Sequence, residues 1–264
     1  MSDYILTRGS APLLISVPHD GTEIPPSLAA RMTEVALTVP DTDWYVGRLY
    51  AGLAQDLGAS LIRPRWSRYV VDLNRAPDDA ALYPGQRGTG LVPTVSFADE
   101  PLYQNGAEPD PAQIASRIES YWAPYHDALQ TELARLRALH GRALLWDGHS
   151  IRSQVPMLFD GRLADFSLGT ADGASCNPEL RERLAALLQA QTRFNCAIDG
   201  RFKGGYITRH YGAPARGIDA VQLELAQCNY MDEDSVEFLP ARAEVVIALI
   251  DALLRAALEP RSAA

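Results

Sequence analysis

Residues 13–21 read LLISVPHDG. A run of Leu and β-branched side chains that stops at Pro18 has the pattern of a buried strand. His19 then stands at the strand's end, and Gly21 allows a tight turn. Open α/β sheets gather their chemistry at such strand ends. Two later stretches repeat the arrangement, residues 69–75 (YVVDLNR) and 143–150 (ALLWDGHS). A fourth, residues 220–227 (AVQLELAQ), carries one carboxylate inside an apolar run. The four strand ends are expected to converge on one metal.

Between these stretches the patterning alternates strand and helix. Residues 41–57 open on Asp-Thr-Asp-Trp, and Tyr45, Leu49 and Leu53 recur at helical spacing up to Gly58. Asp41 and Asp43 are expected at the head of that helix, where caps and the dipole favour acids. Residues 59–63 and 69–73 are predicted as further strands. Asp110-Pro-Ala-Gln carries a capping box with Pro at the first helical position. The helix it opens runs through Ile114, Ile118, Trp122, Leu129, Leu133 and Leu136, with a kink expected at Pro124. Further helices are predicted over 177–191 and 241–258, and a short strand over 194–198. Residues 76–109, 157–176 and 203–212 are predicted as loops, the first as an ordered lid or substrate loop. The fold class that follows is α/β, a three-layer α/β/α arrangement around a mostly parallel mixed sheet. No repeat or low-complexity linker divides the chain, so residues 1–264 are expected to form a single domain.

The bulk composition narrows the function. The 264 residues are 47% hydrophobic and 22% charged, an ordinary soluble globular balance. A net charge of −9 argues against a general nucleic-acid binder, though local arginines still allow a small anionic substrate. Three cysteines without C-x-x-C spacing form neither a disulfide framework nor a cysteine zinc site. With no signal peptide and no apolar run long enough to cross a bilayer, a cytoplasmic location and no membrane partner are expected. Nothing in the patterning sets an oligomeric state.

Histidine is the commonest side-chain ligand for metals, and His19 and His149 each follow a buried strand. Catalytic zinc takes three protein ligands and leaves a position open. The third ligand is Asp43 or Glu23. Asp43 is preferred, because the helix start after a strand returns to the sheet edge, whereas Ile24-Pro25-Pro26 carries the chain away from Glu23. Alternatively, both histidines are hydrogen-bonded loop residues. Glu224 is either a general base beside the metal or, by strand alternation, a solvent-facing acid. Arg68, Asn74 and Arg75 suit a substrate carboxylate, Arg75 being also a candidate catalytic residue beside Glu224, and Arg152, Tyr206 and Arg209 in other loops suit a carboxylate too. Asp72 would orient a neighbouring arginine or simply pair with it. His126 is a helix histidine that becomes relevant if Pro124 bends its helix over the site. The chain has no G-x-S-x-G elbow, which weakens a serine-hydrolase reading.

The stretches SVPHDG, DTDW, RYVVDLNR, DDAALYPGQ, YWAPYH, LWDGHSIRS, GRFKGGYITRHYG and AVQLELAQ resemble the N-formylglutamate amidohydrolases. The resemblance runs from about residue 13 to 234. It implies kinship with zinc carboxypeptidase-like and aspartoacylase-like hydrolases, and hence a phosphorylase/hydrolase-like, zinc carboxypeptidase-like fold. Asp72-Leu-Asn-Arg75 is similar to the DLNR motif of aspartoacylase, and Glu224 to its glutamate base. Those relatives carry H-x-x-E, whereas Thr22 stands three residues after His19 here. The implied reaction is hydrolysis of N-formyl-L-glutamate to formate and L-glutamate, late in one route of histidine breakdown. One catalytic Zn2+ per chain, held by His19, His149 and an acid, would activate water. Glu224 would move the proton, and Arg75 and Asn74 with Arg209 or Arg152 would hold the carboxylates. A zinc deacylase for another N-acyl amino acid and a non-catalytic dicarboxylate-binding protein are the alternatives.

Overall fold

The computed structural model describes residues 3–81 and 87–260. Its strands in chain order are β1 (Tyr4–Thr7), β2 (Leu13–Ser16), β3 (Ser60–Pro64), β4 (Ala143–Ile151), β5 (Phe166–Gly169), β6 (Cys196–Ile198), β7 (Ile218–Ala226), β8 (Met231–Asp232) and β9 (Glu237–Phe238). The helices are α1 (Pro26–Ala29), α2 (Glu34–Leu37), α3 (Val46–Leu57), α4 (Pro111–Arg117), α5 (Ala123–His140), α6 (Pro178–Ala190), α7 (Tyr206–Tyr211) and α8 (Pro240–Leu258).

Seven strands form one mixed sheet in the order β1-β3-β2-β4-β7-β5-β6. The pairs β3–β2, β2–β4, β4–β7 and β5–β6 are parallel, and β1–β3 and β7–β5 are antiparallel. Strand alternation sorts the apolar side chains onto two faces. Leu13, Ile15, Trp146, Val221, Leu223 and Leu225 pack with Leu49 and Leu53 of α3, Leu184 of α6 and Ile250 of α8. Leu14, Leu145 and Ala220 pack on the other side with Leu129, Leu133 and Leu136 of α5. The result is a three-layer α/β/α fold.

The central strands match their sequence reading, and several other segments do not. Residues 69–73 are buried yet form no strand. Both edges of β3 are already taken, by β1 and β2, so the sheet has no place for them there. β1, β5 and α7 were unsignalled, because each is only four to six residues long and lacks a full period. Asp41-Thr-Asp-Trp does not open α3. The helix starts at Val46 after Tyr45 in a left-handed conformation, and Asp20 Oδ1 accepts the Gly47 N–H at 2.9 Å. Asp43 is left free to face the sheet. Ahead of Pro124, residues Ile118–Trp122 form a wide π turn, which absorbs the irregularity that Pro124 imposes.

Two glycines are explained by close approach rather than by turn geometry. A Cβ at Gly21 would lie 2.2 Å from the Trp66 carbonyl oxygen. A Cβ at Gly148 would lie 2.6 Å from the Tyr50 ring, which packs α3 onto β4. Of the predicted loop 76–109, residues 82–86 lie outside the described residues. The remainder is anchored at Leu91, whose N–H reaches Asp79 Oδ1 at 2.6 Å and whose carbonyl accepts the Asp72 N–H at 2.7 Å. No helix among the described residues is long and apolar enough to cross a membrane.

Candidate active site

Three adjacent parallel strands, β2, β4 and β7, end side by side. Ser16 pairs in register with Asp147, and Asp147 with Gln222. Two residues further along, His149 pairs with Glu224. Period-two alternation therefore puts Asp147 and His149, and Gln222 and Glu224, on one face of the sheet. His19 follows β2 by three residues, and its carbonyl accepts the Asp43 N–H at 3.1 Å. That bond delivers the segment before α3 to the strand ends.

His19, Asp43 and His149 each offer a ligand atom within 4.8 Å of the others, and all three are buried. Asp43 Oδ2 lies 3.0 Å from His149 Nδ1 and 3.6 Å from His19 Nδ1, and it accepts the Ser150 N–H at 3.1 Å. The outer ring nitrogens are backed by acids. His19 Nε2 lies 2.7 Å from Asp72 Oδ1. His149 Nε2 lies 3.1 Å from Asp147 Oδ2 and 2.9 Å from Asn74 Nδ2. The Asp147 contact lacks the alignment of a hydrogen bond, so both oxygens of this fully buried carboxylate are without a hydrogen-bond partner.

The donor set fits a divalent cation. Two imidazoles and one carboxylate, each imidazole with a second acid near its outer nitrogen, are a donor set that could hold a metal ion. Metal on Nδ1 of His19 requires the proton on Nε2, where Asp72 Oδ1 stands at 2.7 Å to accept it. Burial disfavours charge on Asp43, but the His19 and His149 rings outweigh it and hold the carboxyl well below its usual range. Asp72 is likewise buried, and His19 and Arg68 hold it low. Burial disfavours the charged His149 ring, and Asp147 and Asp43 outweigh it, so its pKa is raised.

Glu224 behaves differently. It is 6% exposed, and burial pushes its carboxyl up to about 8 against the opposing pull of His149. Strand alternation turns it into the site, not into solvent. Arg68 lies within the same cluster, 2.6 Å from Asp72 Oδ2 and 3.6 Å from Asp43 Oδ1. The acids around Arg68 more than offset its burial and keep it charged.

These groups open onto a cavity of about 290 Å³ lined by His19, Asp43, Arg68, Asn74, Arg75, His149 and Glu224. Asp72, Asp79, Arg87, Phe97, Arg201, Phe202 and Gln222 are also part of its wall. Trp122 Nε1 donates to the Arg75 carbonyl at 3.0 Å, and His126 Nε2 lies 2.9 Å from the Leu73 carbonyl oxygen. The π turn thus sets two side chains of one helix against the backbone that carries Asn74 and Arg75. Burial depresses His126 to about 3, so it serves there as a neutral ring.

Four sequence candidates stand elsewhere. Glu23 pairs with Arg65 at 2.7 Å, with half its side chain in solvent. Arg152 reaches the Glu233 carbonyl at 2.7 Å and Asp234 at 2.9 Å. Arg209 Nε donates to the Gly204 carbonyl at 2.8 Å. Tyr206 stacks on His210 at 4.8 Å between ring centroids. None of the four lines the cavity. Sequence reasoning assigned no role to Asp147, Gln222, Arg87 or Arg201. For the first two a signal was present, because each stands two residues before a candidate on the same strand face. Arg87 and Arg201 come from irregular segments with no such period.

Residues 11–231 match the family model described as N-formylglutamate amidohydrolase. The chain belongs to the N-formylglutamate amidohydrolase family. Across 252 residues it is 50% identical to an N-formylglutamate deformylase of Pseudomonas aeruginosa, covering 94% of each chain. It is 51% identical over 226 residues to an N-formylglutamate deformylase of Pseudomonas putida, covering 86% of this chain and 84% of that one. Among solved structures, an N-formylglutamate amidohydrolase from Ralstonia eutropha superposes with a TM-score of 0.80 at 25% identity, over 97% of this chain and 96% of that one. The family's mixed α/β architecture is therefore the one described above.

Proposed function

We propose that this chain is a metal-dependent N-formylglutamate deformylase that hydrolyses N-formyl-L-glutamate to formate and L-glutamate. The observation that carries the reading is one cavity holding a His19–Asp43–His149 donor set, the buried Glu224 carboxylate and the cationic pair Arg68 and Arg75. Relatives about half identical over most of the chain carry that name.

His19, Asp43 and His149 would hold a zinc-type cation, which when bound acts as a Lewis acid toward the formyl oxygen and toward water. Glu224 takes a proton from the attacking water as its oxygen bonds to the formyl carbon. It returns that proton to the nitrogen as the C–N bond breaks, leaving formate and the free amine. Arg75 and Asn74 hold substrate carboxylate, and Arg68 adds positive charge beside the reacting centre. The partner is thus a small anionic substrate, met in an acidic protein by the arginines that line the cavity.

The test is formate release from N-formyl-L-glutamate by the purified chain, before and after treatment with a chelator, alongside N-acetyl-glutamate and N-acetyl-aspartate. Turnover of the formyl substrate that disappears on chelation and returns with Zn2+ is expected. Preference for an acetyl substrate would replace this reading with the related deacylase, and tight dicarboxylate binding without turnover would make the chain a binding protein.

A further inference from the structure

We propose that Gln222 is a positioning residue for Glu224, itself aligned by the backbone N–H of Gly205. The inference rests on Glu224 acting as the base. Gln222 precedes Glu224 by two residues on β7, so both side chains leave the same face of the strand. It is buried and lines the cavity.

The orientation of its amide is decided by what each neighbour can do. The Gly205 N–H is only a donor, and Gln222 Oε1 accepts from it at 2.7 Å. The amide nitrogen must therefore point the other way, and Gln222 Nε2 lies 3.2 Å from Glu224 Oε2. An ionised carboxylate only accepts, so the two requirements agree. Among the described residues, no other group hydrogen-bonds the Glu224 carboxylate. Ser167 stands opposite Glu224 in register, yet its hydroxyl makes no such bond.

Gly205 is itself held in place. A Cβ there would lie 2.2 Å from the Asn74 amide nitrogen. The next two residues open α7, and their N–H groups both go to Asn74: Tyr206 to its carbonyl at 3.2 Å and Ile207 to its Oδ1 at 2.8 Å. Three successive backbone donors of residues 205–207 are thus satisfied by Gln222 and Asn74 rather than by a capping side chain. A short loop-to-helix junction with little patterning of its own sets the direction of the amide that meets the base.

The test is a double-mutant cycle on the metal-loaded enzyme with N-formyl-L-glutamate. Gln222→Glu can still accept from Gly205 but in its ionised form cannot donate to Glu224. Gln222→Met can do neither, and it carries the cycle if two neighbouring carboxylates prevent the first variant from folding. Each is made in wild type and in Glu224→Gln, with metal content and Tm measured alongside. In wild type, kcat is expected to fall about 10- to 100-fold, with KM within about twofold and metal retained. In the Glu224→Gln background neither substitution should lower kcat further, because the group they act through is gone. Unchanged kcat in wild type, or an equal loss in both backgrounds, would overturn the inference while leaving the reaction intact. A wild-type enzyme that releases no formate would overturn the reaction reading and the inference together.

Discussion

His19 and His149 present the same ring nitrogen, Nδ1, to one oxygen of Asp43, at 3.6 Å and 3.0 Å. Each turns its Nε2 outward toward an acid, Asp72 for His19 and Asp147 for His149. The two rings thereby take matching positions, His19 backed by the segment after β3 and His149 by a neighbour on its own strand.

Substituting either ring should remove metal and activity together. His19→Ala and His149→Ala are expected to lose bound zinc on purification, as read by elemental analysis. Asp43→Ala should lower metal content more than Glu23→Ala, because Glu23 is paired with Arg65 away from the cavity. Stoichiometric zinc in either histidine variant would remove that residue from the centre. A larger loss in Glu23→Ala would move the third ligand there.

Glu224→Gln keeps the shape of the side chain and removes its ability to take a proton. Loss of a general base should lower kcat by about two to four orders of magnitude, with KM and metal content little changed. A zinc-loaded, folded and nearly fully active Gln variant would eliminate Glu224 as base.

Arg75 is expected to act on binding rather than on chemistry. Losing a charge-assisted contact costs roughly 1.5–3 kcal/mol, so Arg75→Ala should raise KM about tenfold or more. Arg75→Lys should recover little of it, since a point charge does not reproduce a bidentate fork. Steady-state kinetics in which Arg75→Ala changes kcat alone would contradict the assignment.

The buried Glu224 also predicts how stability depends on pH in metal-stripped protein. Its carboxyl rises from 4.5 to about 8 on folding, so between those values the folded state holds a proton that the unfolded state releases. Stability from this group is full below 4.5 and is lost as pH rises toward 8. Glu224→Gln does not titrate. Its Tm should therefore rise relative to wild type as pH increases across that window, by thermal denaturation in chelator. A constant difference would show that Glu224 titrates with an ordinary carboxylate pKa.

The sequence by itself determined the layers of this protein. Leu13 to Ser16, Ala143 to Trp146 and Val221 to Leu225 are apolar runs with clear ends, and α5, α6 and α8 carry helical periods. These are local patterns, and burial of one face requires little else. The same patterns placed His19, His149 and Glu224 at neighbouring strand ends.

What only the tertiary structure decided was which loop residues meet there. The sequence preferred Asp43 and left Glu23 open, and in the structure the His19 carbonyl accepts the Asp43 N–H while Glu23 pairs with Arg65. Arg152 and Arg209 matched Arg75 in type, yet their guanidinium groups are taken up by carbonyls at Glu233 and Gly204. Residues 69–73 had the composition of a strand but no free sheet edge beside β3 to occupy. Gln222 gained its place from Gly205, seventeen residues earlier in the chain. Loop paths are set by long-range hydrogen bonds and by the edges other strands leave open, and neither leaves a period in the sequence.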